Sequence, residues 1–80
     1  MTILGIDPGF GILGYGILRV RGNFFEHVRH GTIKTEKQQS IGVRLKFLYD
    51  NLCNLINEFK PDEVAMEKLF FSRNVTTAIS

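Results

Sequence analysis

One segment of the chain, at about residues 40–59, has the apolar periodicity of a long amphipathic helix and divides the remaining sequence into two parts. Its apolar residues recur at spacings of three and four and form one stripe: Ile41, Leu45, Leu48, Leu52, Leu55 and Phe59. Ser40 can cap the first turn, and Pro61 ends the helix because the residue before a proline is driven out of helical geometry. The polar positions between the apolar ones, including Arg44, are expected to face water.

Segments typical of β-strands lie on both sides of this helix. Three precede it, at about residues 2–7, 14–21 and 24–34, and one follows it at residues 62–67. Gly22-Asn23 suits a tight hairpin turn between the second and third strands. The apolar phase of the third strand shifts between Val28 and Ile33, which favours a β-bulge near Gly31.

The order of these elements sets the directions of the strands. If each connection reverses the chain, strands one and four run in the same direction. Asp7 and Glu67, which end the apolar runs of these two strands, are then expected at the same edge of the sheet, where ligand sites in such sheets form. Two carboxylates that meet repel each other unless a proton or a cation lies between them, and a hard divalent metal ion is the natural occupant. The pairing predicts half of a metal-dependent site for cleaving phosphodiesters.

The composition indicates a small globular domain in a reducing compartment. The 80 residues are 44% hydrophobic, and their net charge of +2 is too small to establish a nucleic-acid partner. The single cysteine, Cys53, cannot form an internal disulfide, and neither a signal peptide nor a membrane-spanning run is visible, so a cytoplasmic protein is expected. Residues 2–7 are apolar without alternation, as in a strand covered on both faces. Because only one complete helix is available as cover, residues 1–80 are expected to be the N-terminal part of a longer single domain.

Two other patterns compete with simpler interpretations. Gly9-Phe10-Gly11-Ile12-Leu13-Gly14 matches the G-x-G-x-x-G signature of dinucleotide sites, which requires that the glycine turn open a helix. Residues 15–20 have the character of a strand, so a glycine turn between antiparallel strands is the better interpretation. His27 and His30 are three residues apart on a strand, and they are expected on opposite faces, unable to share a metal ion.

Several motifs together resemble one known family. They are Gly5-Ile6-Asp7-Pro8-Gly9, Gly14-Tyr15-Gly16, Met66-Glu67-Lys68-Leu69-Phe70 and Arg73-Asn74. This combination is similar to the N-terminal part of RuvC, the family of crossover junction endodeoxyribonucleases that resolve Holliday junctions. The resemblance implies an α/β, ribonuclease-H-like mixed sheet with flanking helices, in which strands 1–3 are antiparallel and strand 4 is parallel to strand 1.

The resemblance also implies site residues, a cofactor and partners. Asp7 and Glu67 would be the first two of four catalytic carboxylates, which hold two Mg²⁺ ions per subunit. Phe70 would engage bases at the junction centre, and the basic residues Lys68 and Arg73 would contact DNA. A homodimer would make paired nicks in four-way junction DNA during recombination and repair, together with a branch-migration helicase complex. The last two carboxylates of the family lie beyond these 80 residues, so the 80-residue chain alone is expected to be inactive.

Two further hypotheses remain open. An ATP-using enzyme of the actin and sugar-kinase superfamily also begins with an acidic turn after a first strand. It would need a phosphate-binding hairpin rich in glycine and threonine, and residues 8–11 contain no threonine. The other hypothesis is a non-catalytic module that binds DNA junctions. An Asp7→Asn substitution distinguishes it from the enzyme, because the enzyme would lose cleavage while junction binding survived.

Overall fold

Four strands and one helix form the part of the chain that the computed structural model describes, which is residues 1–9 and 11–66. In chain order they are β1 (Thr2–Asp7), β2 (Ile12–Arg21), β3 (Phe24–Lys34), α1 (Ile41–Phe59) and β4 (Glu63–Met66). The second strand begins two residues earlier than the sequence predicts. Among the described residues, no helix has the length and apolar character needed to cross a bilayer.

The strands form one mixed sheet in the order β3-β2-β1-β4. β2 pairs antiparallel with both β1 and β3, whereas β4 pairs parallel with β1. Gly22 and Asn23 form the two-residue turn between β2 and β3, and Gly22 has the positive φ of 58° that this kind of tight turn requires. The predicted fold class and the parallel pairing of the first and fourth strands are confirmed.

Local interactions set both ends of α1. The Ser40 side chain accepts a hydrogen bond from the backbone N–H of Val43 at 3.3 Å, which satisfies a donor that the first turn leaves free. At the other end, Lys60 adopts a left-handed conformation with φ 46°, and its N–H donates to the carbonyl of Ile56. Pro61 follows directly. The predicted bounds of the helix and its cap are confirmed.

The Ser40 cap gives a first testable expectation. Ser40→Ala should lower the free energy of unfolding by about 1 kcal/mol, since the N–H of Val43 then loses its side-chain acceptor. Ser40→Asp should retain most of the stability because aspartate is an equally good cap. Urea denaturation followed by circular dichroism measures both changes. Equal losses in the two variants would contradict a capping role.

The hydrophobic core lies between α1 and one face of the sheet. It is formed by Leu4, Ile6, Leu13, Ile17, Ile33, Leu48 and Leu55. Leu4 and Ile6 alternate along β1 with Ile3, Gly5 and Asp7, so these last three belong to the opposite face. We call the side on which α1 packs the helix face and the other side the second face.

The orientation of α1 differs from the predicted apolar stripe in its first turns. Ile41 and Leu45 are 63% and 53% exposed, whereas Arg44 is buried with 8% exposure. The helix is rotated so that Arg44, Leu48 and Leu55 point toward the sheet, and the expectation that Arg44 faces water is wrong. The physical reason is a hydrogen-bond partner in the segment that follows β3: the guanidinium Nε of Arg44 donates to Thr35 Oγ1 at 3.0 Å.

A β-bulge lies in β3, but not at Gly31. Ile17 pairs with Arg29 and Leu18 pairs with His27, so the extra residue on β3 is Val28. Gly31 takes part in a regular ladder with Tyr15, whose ring lies so close that an added Cβ would come within 2.8 Å of the phenolic oxygen. Glycine at position 31 therefore leaves room for the Tyr15 ring. The alternation of side chains along β3 changes three residues earlier, at Val28.

The bulge changes which residues share a face. A regular strand would direct His27 and His30 to opposite faces, as the sequence predicts. With one extra residue between them, His27 lies opposite Leu18 and His30 lies opposite Gly16, both on the second face. Their ring nitrogens, Nε2 of His27 and Nδ1 of His30, are 2.8 Å apart. The predicted separation of the two histidines is wrong.

Candidate metal-binding edge of the sheet

Asp7 is the last residue of β1, at the carboxyl end of a strand with neighbours on both sides. It pairs with Gly14 of β2, and it is exposed. An added Cβ at Gly14 would lie 3.7 Å from the Cβ of Asp7, so the glycine leaves the space beside the carboxylate open. Asp7 thus extends from the second face at the edge where the sequence predicts a ligand site.

The neighbouring strand β4 brings its carboxyl end to the same edge. Its described pairs with β1 run from Ile3 with Glu63 to Ile6 with Met66, and they stop one position short of Asp7. At the other edge, Thr2 N–H donates to a carboxylate oxygen of Asp62 at 2.7 Å, and Asp62 N–H donates to the carbonyl of Thr2 at 2.8 Å. These reciprocal bonds join Thr2, the first residue of β1, to the residue directly before β4 and so help to set the register of the two parallel strands.

The other predicted site residues, Glu67, Lys68, Phe70 and Arg73, lie outside the described residues. The structure therefore brings together the two strands that carry the predicted carboxylates and shows the first of these carboxylates. The proposed contact between Asp7 and Glu67 stays a prediction, as do the DNA contacts of the other three side chains.

The turn that follows Asp7 depends on glycine at position 9. An added Cβ at Gly9 would overlap the carbonyl oxygen of Ile12, a backbone atom that cannot move aside without displacing the strand. Further along the turn, the carbonyl of Gly11 accepts a hydrogen bond from the N–H of Thr35 at 3.0 Å. The turn is therefore attached to the segment that leaves β3.

This attachment leads to Arg44. The hydroxyl of Thr35 lies 3.5 Å from the carbonyl of Gly11 and accepts the hydrogen bond from Arg44 Nε. A buried guanidinium on α1 is thereby connected through Thr35 to the turn that carries Asp7. Sequence reasoning missed this connection because it assigned Arg44 to the wet side of the helix. A buried arginine gives no signal in apolar periodicity.

The described environment of Asp7 is compatible with a hard metal ion but supplies only one ligand. Within residues 1–9 and 11–66, no ion pair or side-chain hydrogen bond engages the Asp7 carboxylate. No three His, Cys, Asp or Glu side chains gather in the same part of the chain. A free carboxylate is the donor type that Mg²⁺ prefers, and further carboxylates have to come from elsewhere for a tight site.

The turn can be tested through its two glycines. Gly9→Ala should lower the free energy of unfolding by about 1–3 kcal/mol, since the new methyl group collides with the Ile12 carbonyl. Gly11→Ala is the matched control, because an added Cβ there meets no atom within 4 Å. Its effect should stay within about 0.5 kcal/mol. Urea denaturation of the two variants measures the difference, and equal stabilities would contradict the crowding at Gly9.

Comparisons with known proteins agree with this architecture. The family model described as "Crossover junction endodeoxyribonuclease RuvC" matches residues 3–80. A protein of that name from Pseudothermotoga lettingae is 71% identical over 80 residues, which are the whole of this chain and 49% of that protein. The chain thus spans about half the length of this curated relative.

Two solved structures share the fold. "Thermus thermophilus RuvC structure" superposes with a TM-score of 0.80 at 29% identity, covering 88% of this chain and 44% of that one. "T. thermophilus RuvC in complex with Holliday junction substrate" gives a TM-score of 0.81 at 28% identity, covering 88% and 45%. With the sheet order, the parallel β1–β4 pair and a family match over nearly every residue, the chain belongs to the RuvC family of crossover junction endodeoxyribonucleases.

Proposed function

We propose that a protein of the relatives' full length that contains this chain cleaves four-way DNA junctions with Mg²⁺ held by Asp7 and Glu67. The observation that carries the proposal is the exposed Asp7 carboxylate at the carboxyl end of β1, beside the parallel strand β4. Membership of a nuclease family, and the Holliday junction substrate named for a related structure, support the choice of chemistry and of DNA.

The register of β1 and β4 supports the second ligand. Ile3 and Gly5 of β1 pair with Glu63 and Ala65 of β4, and these residues share the second face with Asp7. If the pairing continues by one more step of this alternation, position 67 stands opposite Asp7 on the same face. Neighbouring strands are about 4.8 Å apart, so two carboxylates at such positions can bind one divalent ion. A one-residue slip would direct Glu67 to the helix face instead.

The proposed mechanism gives each residue a distinct task. Asp7 and Glu67 bind the metal and fix its position against the scissile phosphate. Mg²⁺, when bound, stabilises charge on the phosphate and makes a coordinated water a better nucleophile. Lys68 and Arg73 neutralise backbone phosphates, and Phe70 stacks on an unpaired base at the junction centre. Residues 1–80 contribute two of the carboxylates, and the remaining ligands come from the rest of the protein.

The assembly follows from the symmetry of the substrate. A four-way junction has two strands to be cut in equivalent positions. A homodimer with two-fold symmetry presents two identical sites and can make paired nicks. We extend the proposal to this dimer and to cooperation with a branch-migration helicase complex in recombination and repair.

A nicking assay on a synthetic four-way junction tests the proposal. The full-length protein with Mg²⁺ should cut the junction and leave a linear duplex of the same sequence intact, and a chelator should abolish cutting. The 80-residue chain should not cut, because two carboxylates are too few to hold Mg²⁺, which gives up its water reluctantly. Robust cleavage by the 80-residue chain would refute the need for further ligands. A full-length protein that binds the junction but never cuts it would favour the non-catalytic binding module.

A further inference from the structure

We propose that His27 and His30 form a two-ligand binding site for a transition metal ion of the copper and nickel type. This site is separate from the carboxylate edge and does not depend on the proposed function. Both histidines are exposed on the second face of the sheet, and they are the only two in the chain. The β-bulge at Val28 is what brings them together.

The spacing of the nitrogens matches that of two ligands in neighbouring positions around a metal. Metal–imidazole bonds are about 2.1 Å long, so two such nitrogens at a right angle are about 3.0 Å apart, and at the tetrahedral angle about 3.4 Å. The observed distance between Nε2 of His27 and Nδ1 of His30 is 2.8 Å. The two nitrogens therefore need to separate by only about 0.2 Å to reach the spacing of a right-angle site. Square-planar and octahedral ions use this angle, which favours Cu²⁺ and Ni²⁺ over tetrahedral Zn²⁺.

The ring orientation does not oppose chelation. The two ring planes are tilted by 55° and their centroids are 4.9 Å apart. An imidazole can rotate about its metal–nitrogen bond without breaking that bond, so the tilt between the two ring planes is compatible with both rings binding one ion. In the structure a single hydrogen bond joins the facing nitrogens, with one nitrogen donating and the other accepting. When a metal binds there, the proton of the donating ring moves through water to the other nitrogen of that ring, and the charge of the pair does not change.

The surroundings of the histidine pair leave space for a metal ion, and the neighbouring Arg29 is directed away from it. His30 lies opposite Gly16, where an added Cβ would meet nothing within 4 Å, so water can complete the coordination of the ion. The nearest cation along the strand, Arg29, is turned to the helix face. There its guanidinium lies 3.4 Å from a Glu58 carboxylate oxygen and 5.1 Å from the ring centre of Phe59. Its positive charge is therefore directed away from the histidine pair.

The donor type separates this site from the one proposed at Asp7. Imidazole nitrogen suits copper, nickel and zinc, whereas Mg²⁺ requires oxygen ligands. Asp7 shares the second face, but its pairing partner Gly14 lies two residues along β2 from Gly16. The two sites would therefore lie at different positions on the second face and would select different metal ions.

Titration of the full-length protein with Cu²⁺, observed by electron paramagnetic resonance, tests the proposal. The wild-type spectrum should contain a copper species with hyperfine coupling to two ring nitrogens. His27→Gln and His30→Gln should each remove this species. Each should also weaken Cu²⁺ binding by about 100-fold, because the second imidazole no longer adds its effective concentration. Both side chains are exposed, so both variants should retain the wild-type circular dichroism spectrum.

Controls separate the pair from other ligands. Lys34→Gln, at the exposed end of the same strand, and Cys53→Ser, which removes the thiol, should both leave the two-nitrogen species unchanged. Asp7→Asn should also leave it unchanged, so a failure of the proposed nuclease site does not affect the result. A wild-type spectrum with coupling to fewer than two nitrogens, or unaltered copper affinity in either histidine variant, would overturn the proposal.

Discussion

Asp7→Asn in the full-length protein is expected to reduce Mg²⁺-dependent junction cleavage by at least about 100-fold. Loss of a group that merely supports a metal ligand costs up to about this factor, so loss of a ligand itself should cost no less. The substitution preserves the shape of the side chain and its backbone pairing with Gly14, but it removes the charge that holds the metal. Junction binding, measured by gel shift in the presence of a chelator, should stay within a few-fold of wild type.

Glu63→Gln is the matched control for this substitution. Glu63 is exposed and shares the second face with Asp7, but it pairs with Ile3, near the opposite edge of the sheet. The control loses one negative charge from the same surface, so it measures how much of the effect is general electrostatics. We expect the Glu63→Gln variant to cleave as fast as wild type. An Asp7→Asn variant that cleaves at the rate of the control would contradict the role of Asp7.

Arg44→Ala is expected to lower the free energy of unfolding by about 2–3 kcal/mol. The substitution removes the packing of the buried aliphatic stem and the hydrogen bond to Thr35, and a hydrogen bond from a charged group is worth about 1.5–3 kcal/mol. Because Thr35 also contacts the carbonyl of Gly11, the turn after Asp7 should loosen as well. The measurements are urea denaturation and proteolysis of the turn.

A double-mutant cycle isolates the contact itself. Thr35→Val removes the hydroxyl with little change of volume, and the double variant should be about 1 kcal/mol more stable than the sum of the single effects predicts. Lys46→Ala serves as the control on the same helix. Lys46 forms an exposed ion pair with Asp50, and such pairs contribute little. A strictly additive cycle would show that the contact between Arg44 and Thr35 does not itself stabilise the fold.

The architecture was accessible from the sequence because its signals are local. Ser40 and Pro61 bound the helix through interactions within a few residues, and Gly22-Asn23 forms a turn that few other pairs can adopt. With a reversal of the chain at each connection, the order of the elements makes β1 and β4 parallel, as observed. The placement of Asp7 at the carboxyl edge follows from these local signals. Its pairing with Glu67 is an extension of the same reasoning and stays a prediction.

Local sequence patterns are enough to place the elements in order, to orient the strands and to locate the edge at which Asp7 lies. Contacts between separate segments set the location of the bulge at Val28, the shared face of His27 and His30, and the burial of Arg44. The physical reason is the range of the interactions. A bulge depends on the register between two strands, and a buried guanidinium depends on an acceptor in another segment of the chain. Neither partner can be identified from the periodicity of a single segment.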